Sequence, residues 1–579
     1  MKQVSMKILL AMLALSAAQV QAVRYTNKTQ VAFKPQGVNL PMADSLYHRL
    51  HKAHDAKRWN GKIQASPFFQ RSENQRDLGR LLLFNKKDAV SLKRLTLTAP
   101  APLVPAGEVD FGYVIHSNNP AAAGGDIMRG VDTTFNLKLA PERTSYGLSL
   151  GYEHDLGHFV KGLHFQVSAP VVHIQHHLNK IVTSSDAETQ KNVDKYFSGK
   201  FQEAAGANAQ DFLKKAILVD QRAVGVADVE LELNYDAVHR PWGCWHLGVG
   251  LTLPTGNTPD GTYAFQPVVG NNNHLGIGAQ SKMVVDLLSH NEHHASLHTS
   301  ARYRYLLESD EVRTLGIKDR NFGQYHLLAK TGSPEGSMLQ PAANILTMAV
   351  DVTPGHQFDG SASLAYSWRK LSVDLGYNLF FRNKESLRLR NAFADNTYAI
   401  VNRNYNASRP VDIAFLRAIP GFPDIGAIGD ANLAPVIAAT TLPTASKGSV
   451  VTAMAAVAPG GGGGGAPTAA NITTAATAIA TRVGEVRQVN FLFGVPLSAS
   501  HDNLIDGGAA NGVVNADKLD LRAATDERQM SHAIFASVGL AMNGEETPVI
   551  AGIGGSYEFA GANNGLEQWT VWAKAGISF

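Results

Sequence analysis

Apolar and polar residues alternate with period two along most of this chain. At the C-terminus, one row reads Trp569, Val571, Ala573, Ala575, Ile577 and Phe579, and the other Gln568, Thr570, Trp572, Lys574, Gly576 and Ser578. Successive strand side chains point to opposite faces, so this is a strand with one apolar and one wetter face. The same pattern predicts fourteen strands: 59–71, 107–117, 129–140, 145–155, 161–175, 222–235, 242–254, 273–288, 293–308, 357–368, 371–383, 530–542, 549–560 and 566–579. Apolar alternations at 342–352 and 485–497 are left in loops. Counting both as strands gives sixteen, and the expected range is twelve to sixteen. A soluble sandwich gives the same alternation on any single segment.

Connection lengths sort by side. With both termini at one end, the turns there fall at 118–128, 156–160, 236–241, 289–292, 369–370 and 543–548. The opposite end receives 72–106, 176–221, 255–272, 309–356 and 384–529. An even strand number with short turns at one end and long loops at the other is the pattern of a closed membrane barrel. The fold class expected is therefore all-β, a transmembrane antiparallel up-and-down β-barrel over 59–579. No apolar run after residue 22 is long enough for a spanning helix, and only closed barrels span a bilayer without helices.

The N-terminus carries Lys2 and Lys7, an apolar run from Ile8 to Ala18 and a Val-x-Ala end at Ala22, which reads as an export signal over 1–22. Residues 23–58 contain a weak amphipathic helix with Leu46, Leu50 and Ala53 on one face. They are expected in the periplasm or as a plug in the lumen. The 384–529 loop holds six consecutive glycines, Gly460 to Gly465, in an Ala/Thr/Pro-rich stretch over 432–482, expected to be partly disordered and extracellular.

The chain has 52 Lys and Arg against 49 Asp and Glu, two of the lysines in the leader. This near-neutral balance gives no reason to expect nucleic acid as a partner. One cysteine, Cys244, excludes an intramolecular disulfide framework.

These features resemble bacterial outer-membrane β-barrels, through the signal peptide, the recurrent alternating strands and the last strand. That strand is similar to the signal read by the barrel assembly machinery, which assigns the role to Phe579, Ile577, Ala575 and Val571. The resemblance implies insertion in the outer membrane, contact with its lipid and, for most members, passive transport; it also admits a homo-oligomer. Leu253-Pro-Thr-Gly256 is similar to strand-end turns of some outer-membrane transporters for small organic compounds, although turn chemistry alone also produces it.

In a membrane barrel the polar row faces the lumen. Asp228, Glu230 and Glu232, with Asn234, then form an acidic stripe. His298, Arg302 and Arg304 form a basic one three strands on, and Asp374, Arg382 and Lys574, with Lys282, add further charge. Such stripes select permeants, or they merely pair with one another across a narrow or plugged lumen. No catalytic residues, cofactor or metal are assigned. Gly147-Leu-Ser-Leu-Gly151 spells a nucleophile elbow, yet its alternation places Ser149 inside a strand. The clusters His173/His176/His177 and His290/His293/His294 lack a recognised ligand spacing. A porin-like channel for small hydrophilic solutes is the leading expectation. The alternatives are a gated transporter of small organic compounds, with a plug and an apolar interior pocket, and a surface adhesin or structural barrel with a blocked lumen.

Overall fold

The computed structural model describes residues 28–29, 60–83, 88–93, 134–201, 210–318, 320–330, 339–395, 397–400, 513–542, 549–561 and 566–579. Twelve strands form the barrel: β1 (Gly61–Ser72), β2 (Glu142–Asp155), β3 (Leu163–His177), β4 (Val229–Arg240), β5 (Gly243–Leu253), β6 (Gly276–His290), β7 (His293–Leu306), β8 (Gly355–Trp368), β9 (Leu371–Arg382), β10 (Gln529–Met542), β11 (Val549–Ala560) and β12 (Gln568–Ser578). Each pairs antiparallel with its neighbours in the chain, and β12 pairs back onto β1. The closing register runs from Lys62 opposite Ser578 to Ser72 opposite Gln568. Phe579 and Gly61 exchange two backbone hydrogen bonds of 3.0 and 2.9 Å.

Twelve replaces the fourteen that alternation predicts. The 129–140 segment is a short strand, Thr134–Lys138, in a separate three-stranded sheet with Ala89–Lys93 and Ile181–Ser184. Its row Phe135, Leu137 and Leu139 is buried against other protein and its partners Thr134, Asn136 and Lys138 are exposed, so its alternation is that of an ordinary soluble sheet. The 107–117 segment lies outside the described residues, as do 1–27, the Gly460–Gly465 tract and 485–497. The 222–235 segment divides at Ala227-Asp228. Its first part, Gln221–Val226, pairs only with the loop-end half of β3 among the described residues, and its second part belongs to β4. The break lies beside Pro170, which has no N–H for the ladder and whose carbonyl accepts from the Ala227 N–H at 2.7 Å.

The outward row of the wall is apolar. On β9, Leu371, Val373, Leu375 and Tyr377 are exposed, and the intervening Ser372, Asp374, Gly376 and Asn378 are buried. On β12 the exposed row is Val571, Ala575, Ile577 and Phe579, and the buried one is Gln568, Thr570, Trp572, Lys574 and Ser578. Large rings mark both rims. Trp242, Trp245, Tyr366 and Trp368 lie at the turn end, and Tyr146, Tyr303 and Phe559 at the loop end.

Interior rings are accommodated by glycine on the neighbouring strand. Phe68 lies opposite Gly147, Phe535 opposite Gly376, and Trp572 opposite Gly554. A Cβ built on Gly376 would lie 2.2 Å from the Phe535 ring, and one on Gly554 would lie 2.5 Å from Trp572. The rings therefore lie flat against the wall, where any side chain opposite would lift them off.

Long connections at the loop end build a cap with two apolar cores. One joins α1 (Gln75–Leu82) and α2 (Ala187–Phe197) to the small sheet and to Phe322 and Tyr325. The other joins Leu315, Val350, Val352, Ile400 and Leu519 around α3 (Ala342–Leu346). The 342–352 alternation thus supplies α3 and the strand Thr347–Thr353, which pairs with Ser309–Thr314 and Ser386–Leu389. Arg313 is buried there between Glu311 at 2.6 Å and Glu385 at 3.3 Å, so these loop charges serve the cap. Lys28 and Thr29 are also buried in the cap. The Lys28 ammonium donates to the Arg522 and Thr525 carbonyls at 2.9 Å and pairs with Glu527. This part of 23–58 therefore docks at the loop end, whereas Gly61 enters β1 at the turn end; residues 30–59 lie outside the described residues.

Two outcomes test this packing. Gly376→Val overpacks the Phe535 ring and is expected to lower stability by about 1–3 kcal/mol, read from urea unfolding in lipid vesicles. In the cap, burial and the nearby Arg320 charge hold the His326 imidazole down at about 3. A free imidazole titrates near 6.5, so the unfolded state binds more protons between these values and cap stability falls as pH drops from about 6.5 towards 3. After correction for intrinsic rates, amide exchange in 339–346 should be faster at about pH 4.5 than at about pH 7, and His326→Gln should remove that difference.

Candidate functional site: the barrel interior

The polar row of β4 meets the polar row of β7 across the interior. Arg302 contacts Glu230 and Glu232, each at 3.0 Å, and Arg304 contacts Glu230 at 2.6 Å. From β6 between them, Lys282 approaches Glu232 at 3.5 Å and Gln166 of β3 at 3.2 Å. Gln280 donates to Glu232 and Asn234 at 2.5 and 2.6 Å. The acidic and basic stripes are therefore one ion-paired network. Small residues on the intervening strands open the way: Gly250 stands beside the Glu232 stem, and a Cβ on Gly278 would press on Arg304 at 3.1 Å.

The other charged positions have further partners, and Asp228 borders the network. Asp228, at the break before β4, is buried and bonded by the Asn271 side chain. Burial and the neighbouring Glu230 push its carboxyl up to about 6. His298 meets the Ser296 hydroxyl at 2.8 Å, and Asp374 accepts from the Ser537 hydroxyl at 2.9 Å. Arg382 reaches Asp526 of the cap at 3.4 Å. The Lys574 ammonium lies 5.6 Å from the centre of the Trp572 ring.

Away from the ion network the interior also holds an apolar cluster. Phe68, Val172, Ile174, Ala227, Val269, Phe535 and Trp572 form one buried cluster. Val269 comes from the loop after β5, and the Leu253-Pro-Thr-Gly256 turn places it. The Thr255 hydroxyl donates to the Ala227 carbonyl at 2.7 Å, and the Asn257 side chain accepts from the Val269 N–H at 2.6 Å. The motif is thus a clasp that holds a loop residue inside the barrel.

Sequence reasoning passed over Phe68, Phe535, Trp572, Arg143 and Glu558 as interior groups. Their signal was present, since each occupies the wet row of its strand. Of the histidine clusters, His173 faces outward against Tyr146, His176 faces inward on Phe265, and His293 meets the Tyr366 hydroxyl at 2.6 Å on the outside. Among the described residues no group of three or more His, Cys, Asp or Glu side chains is arranged to hold a metal ion. Ser149 lies within β2, opposite Ser66.

A closed antiparallel barrel with an apolar belt outside and ionised groups inside defines the class: this is a β-barrel of the outer-membrane type. No family model and no curated protein matches the chain. Among solved structures, the chain is similar to an outer membrane channel from Pseudomonas putida F1, at 9% identity and a TM-score of 0.32, covering 90% of this chain and 96% of that one. It is also similar to a Pseudomonas aeruginosa FadL homologue, at 5% identity and 0.26, covering 90% of each chain. A mutant of the monoaromatic hydrocarbon channel TodX gives 8% and 0.29, covering 91% and 90%. Likeness at these scores carries no functional argument, and the class rests on this chain's own strand pairing.

Removing one partner from a buried ion pair strands the other. Glu230→Gln leaves both Arg302 and Arg304 short of a carboxylate and is expected to destabilise the barrel by about 3–5 kcal/mol. Urea unfolding should show the double variant Glu230→Gln/Arg304→Met less destabilised than the single one.

Proposed function

We propose that this protein is a selective channel of the bacterial outer membrane, passing small organic molecules through a lumen filled by side chains. The observation that carries this reading is the interior itself. An ion-paired network occupies one part of it, and a buried apolar cluster topped by a loop residue occupies another. Passage then requires side chains to yield to a molecule that contacts both, the behaviour of a selective channel. Glu230, Glu232, Arg302 and Arg304 act as wall charges, with Asp228, His298, Asp374, Arg382 and Lys574 at other heights.

A second reading, a porin for small hydrophilic solutes, is favoured by the number of charged groups in the wall. Single-channel recording of purified protein in a planar bilayer separates the two. The expected result is a near-silent barrel whose conductance rises in Phe535→Ala/Trp572→Ala. Sustained open steps in the unaltered protein would overturn the selective reading in favour of the porin. A silent barrel that admits neither charged nor neutral solutes to liposomes would point to an adhesin or structural role.

Export through the 1–22 signal and insertion by the barrel assembly machinery complete the proposal. The outward residues Val571, Ala575, Ile577 and Phe579 are our assignment for the insertion signal. Phe579→Ala keeps the backbone bonds to Gly61, so it should refold into vesicles normally yet reach the outer membrane of cells in reduced amount. Equal yields in cells would remove that assignment.

A further inference from the structure

The barrel interior holds a layer of buried polar groups that the ion network does not use. Arg143, on β2, is 1% exposed. Its backbone N–H donates to the Ser72 hydroxyl at 2.8 Å, and its Nη1 reaches the Gln70 side-chain Oε1 only at 3.5 Å. Its Nε and Nη2 have no hydrogen-bond partner in the protein. These two N–H groups form one edge of the guanidinium, the edge that grips a carboxylate with two parallel bonds.

Acceptors stand at the same height. Gln568 lies opposite Ser72 on one side and opposite Glu558 on the other. Its side-chain N–H donates to Glu558 Oε2 at 2.7 Å, the Ser531 hydroxyl also bonds the Glu558 carboxyl, and Gln568 Oε1 is left buried with no donor from the protein. A buried polar group without a partner is destabilising, so a set of them on adjacent strands suits a molecule that supplies the missing partners. Phe68 and Trp572 lie opposite each other on the same interior faces, four residues nearer the turn end than Ser72 and Gln568, or about 13 Å along the strands, and the Arg143 side chain reaches part of that way to Gln70.

From this layer we infer that Arg143 and Gln568, whose amide Glu558 orients, form a binding site for an aromatic hydroxycarboxylic acid whose ring points towards Phe68 and Trp572. The inference rests on the channel reading above and names its substrate class. The carboxylate lies on the Arg143 edge, and the hydroxyl donates to Gln568 Oε1. A bare inorganic anion brings no donor for Gln568 Oε1. A simple hydrocarbon satisfies none of the polar atoms. A site with unpaired acceptors discriminates strongly for a ligand hydroxyl, because the analogue without it leaves them unpaired.

Equilibrium dialysis of the purified full chain in detergent, with mandelate as the probe, tests the site. Mandelate is expected to bind, phenylacetate (which lacks the hydroxyl) at least ten-fold more weakly, and benzyl alcohol (which lacks the carboxylate) not measurably. Arg143→Met should abolish mandelate binding. Arg143→Lys, which keeps the charge and loses the two-bond edge, should weaken it at least ten-fold. A heat-dependent gel shift reports that each variant still closes its barrel, and Gln568→Leu tests the acceptor side if Arg143 variants do not fold. No binding by the unaltered protein, or equal binding by folded Arg143→Met, overturns the inference. Liposome swelling in phenyl glucoside, an uncharged aromatic solute that lipid excludes and that has no carboxylate for Arg143, separates this failure from failure of the channel reading. Specific mandelate binding without uptake of any solute would keep the site and overturn the channel.

Discussion

Everything in this structure depends on the pairing of β1 with β12. A sheet in a bilayer cannot leave an edge, because each unpaired N–H or C=O in hydrocarbon costs several kcal/mol. Chain ends more than 500 residues apart in sequence are therefore held side by side over the whole length of a strand. Once the ladder closes, one face of every strand must meet lipid and the other must meet the interior. The alternation that looks like a soluble amphipathic strand is then read inside out.

The interior is where that inversion becomes expensive, and the chain meets the cost in two ways. Charges from strands three apart are brought within 2.6–3.0 Å of one another, so that none of Glu230, Glu232, Arg302 and Arg304 is left unpaired. Rings that would crowd the lumen are laid over glycine instead, with Phe535 on Gly376 and Trp572 on Gly554. Some of the 53 glycines therefore serve packing rather than turns. Around Arg143, its Nε and Nη2 and the Gln568 Oε1 are left without partners in the protein.

The cap follows different rules. Its cores bury Phe135, Leu137, Val350 and Val352 against protein, as any water-soluble domain does. Arg313 is fixed among Glu311 and Glu385, and Lys28 ties the N-terminal segment to the 522–527 strap. Through the clasp at Leu253-Pro-Thr-Gly256 the loop region also reaches into the barrel and delivers Val269 to the apolar cluster. The loops at this end are therefore part of what a molecule in the lumen would touch.

Alternation by itself determined the class of fold, the strands that make most of the wall and which row of each faces inward. Period two is a local property, and it survives whatever the strand packs against. It could not say that Thr134–Lys138 packs in the cap rather than the barrel, since a row buried in protein and a row facing lipid are both apolar. Nor could it show that the acidic and basic stripes form one network, that Trp572 meets Gly554, or that Arg143 keeps a free bidentate edge. Those facts depend on register between strands far apart in sequence and on the height each side chain reaches inside the closed barrel. Only the tertiary structure sets either one.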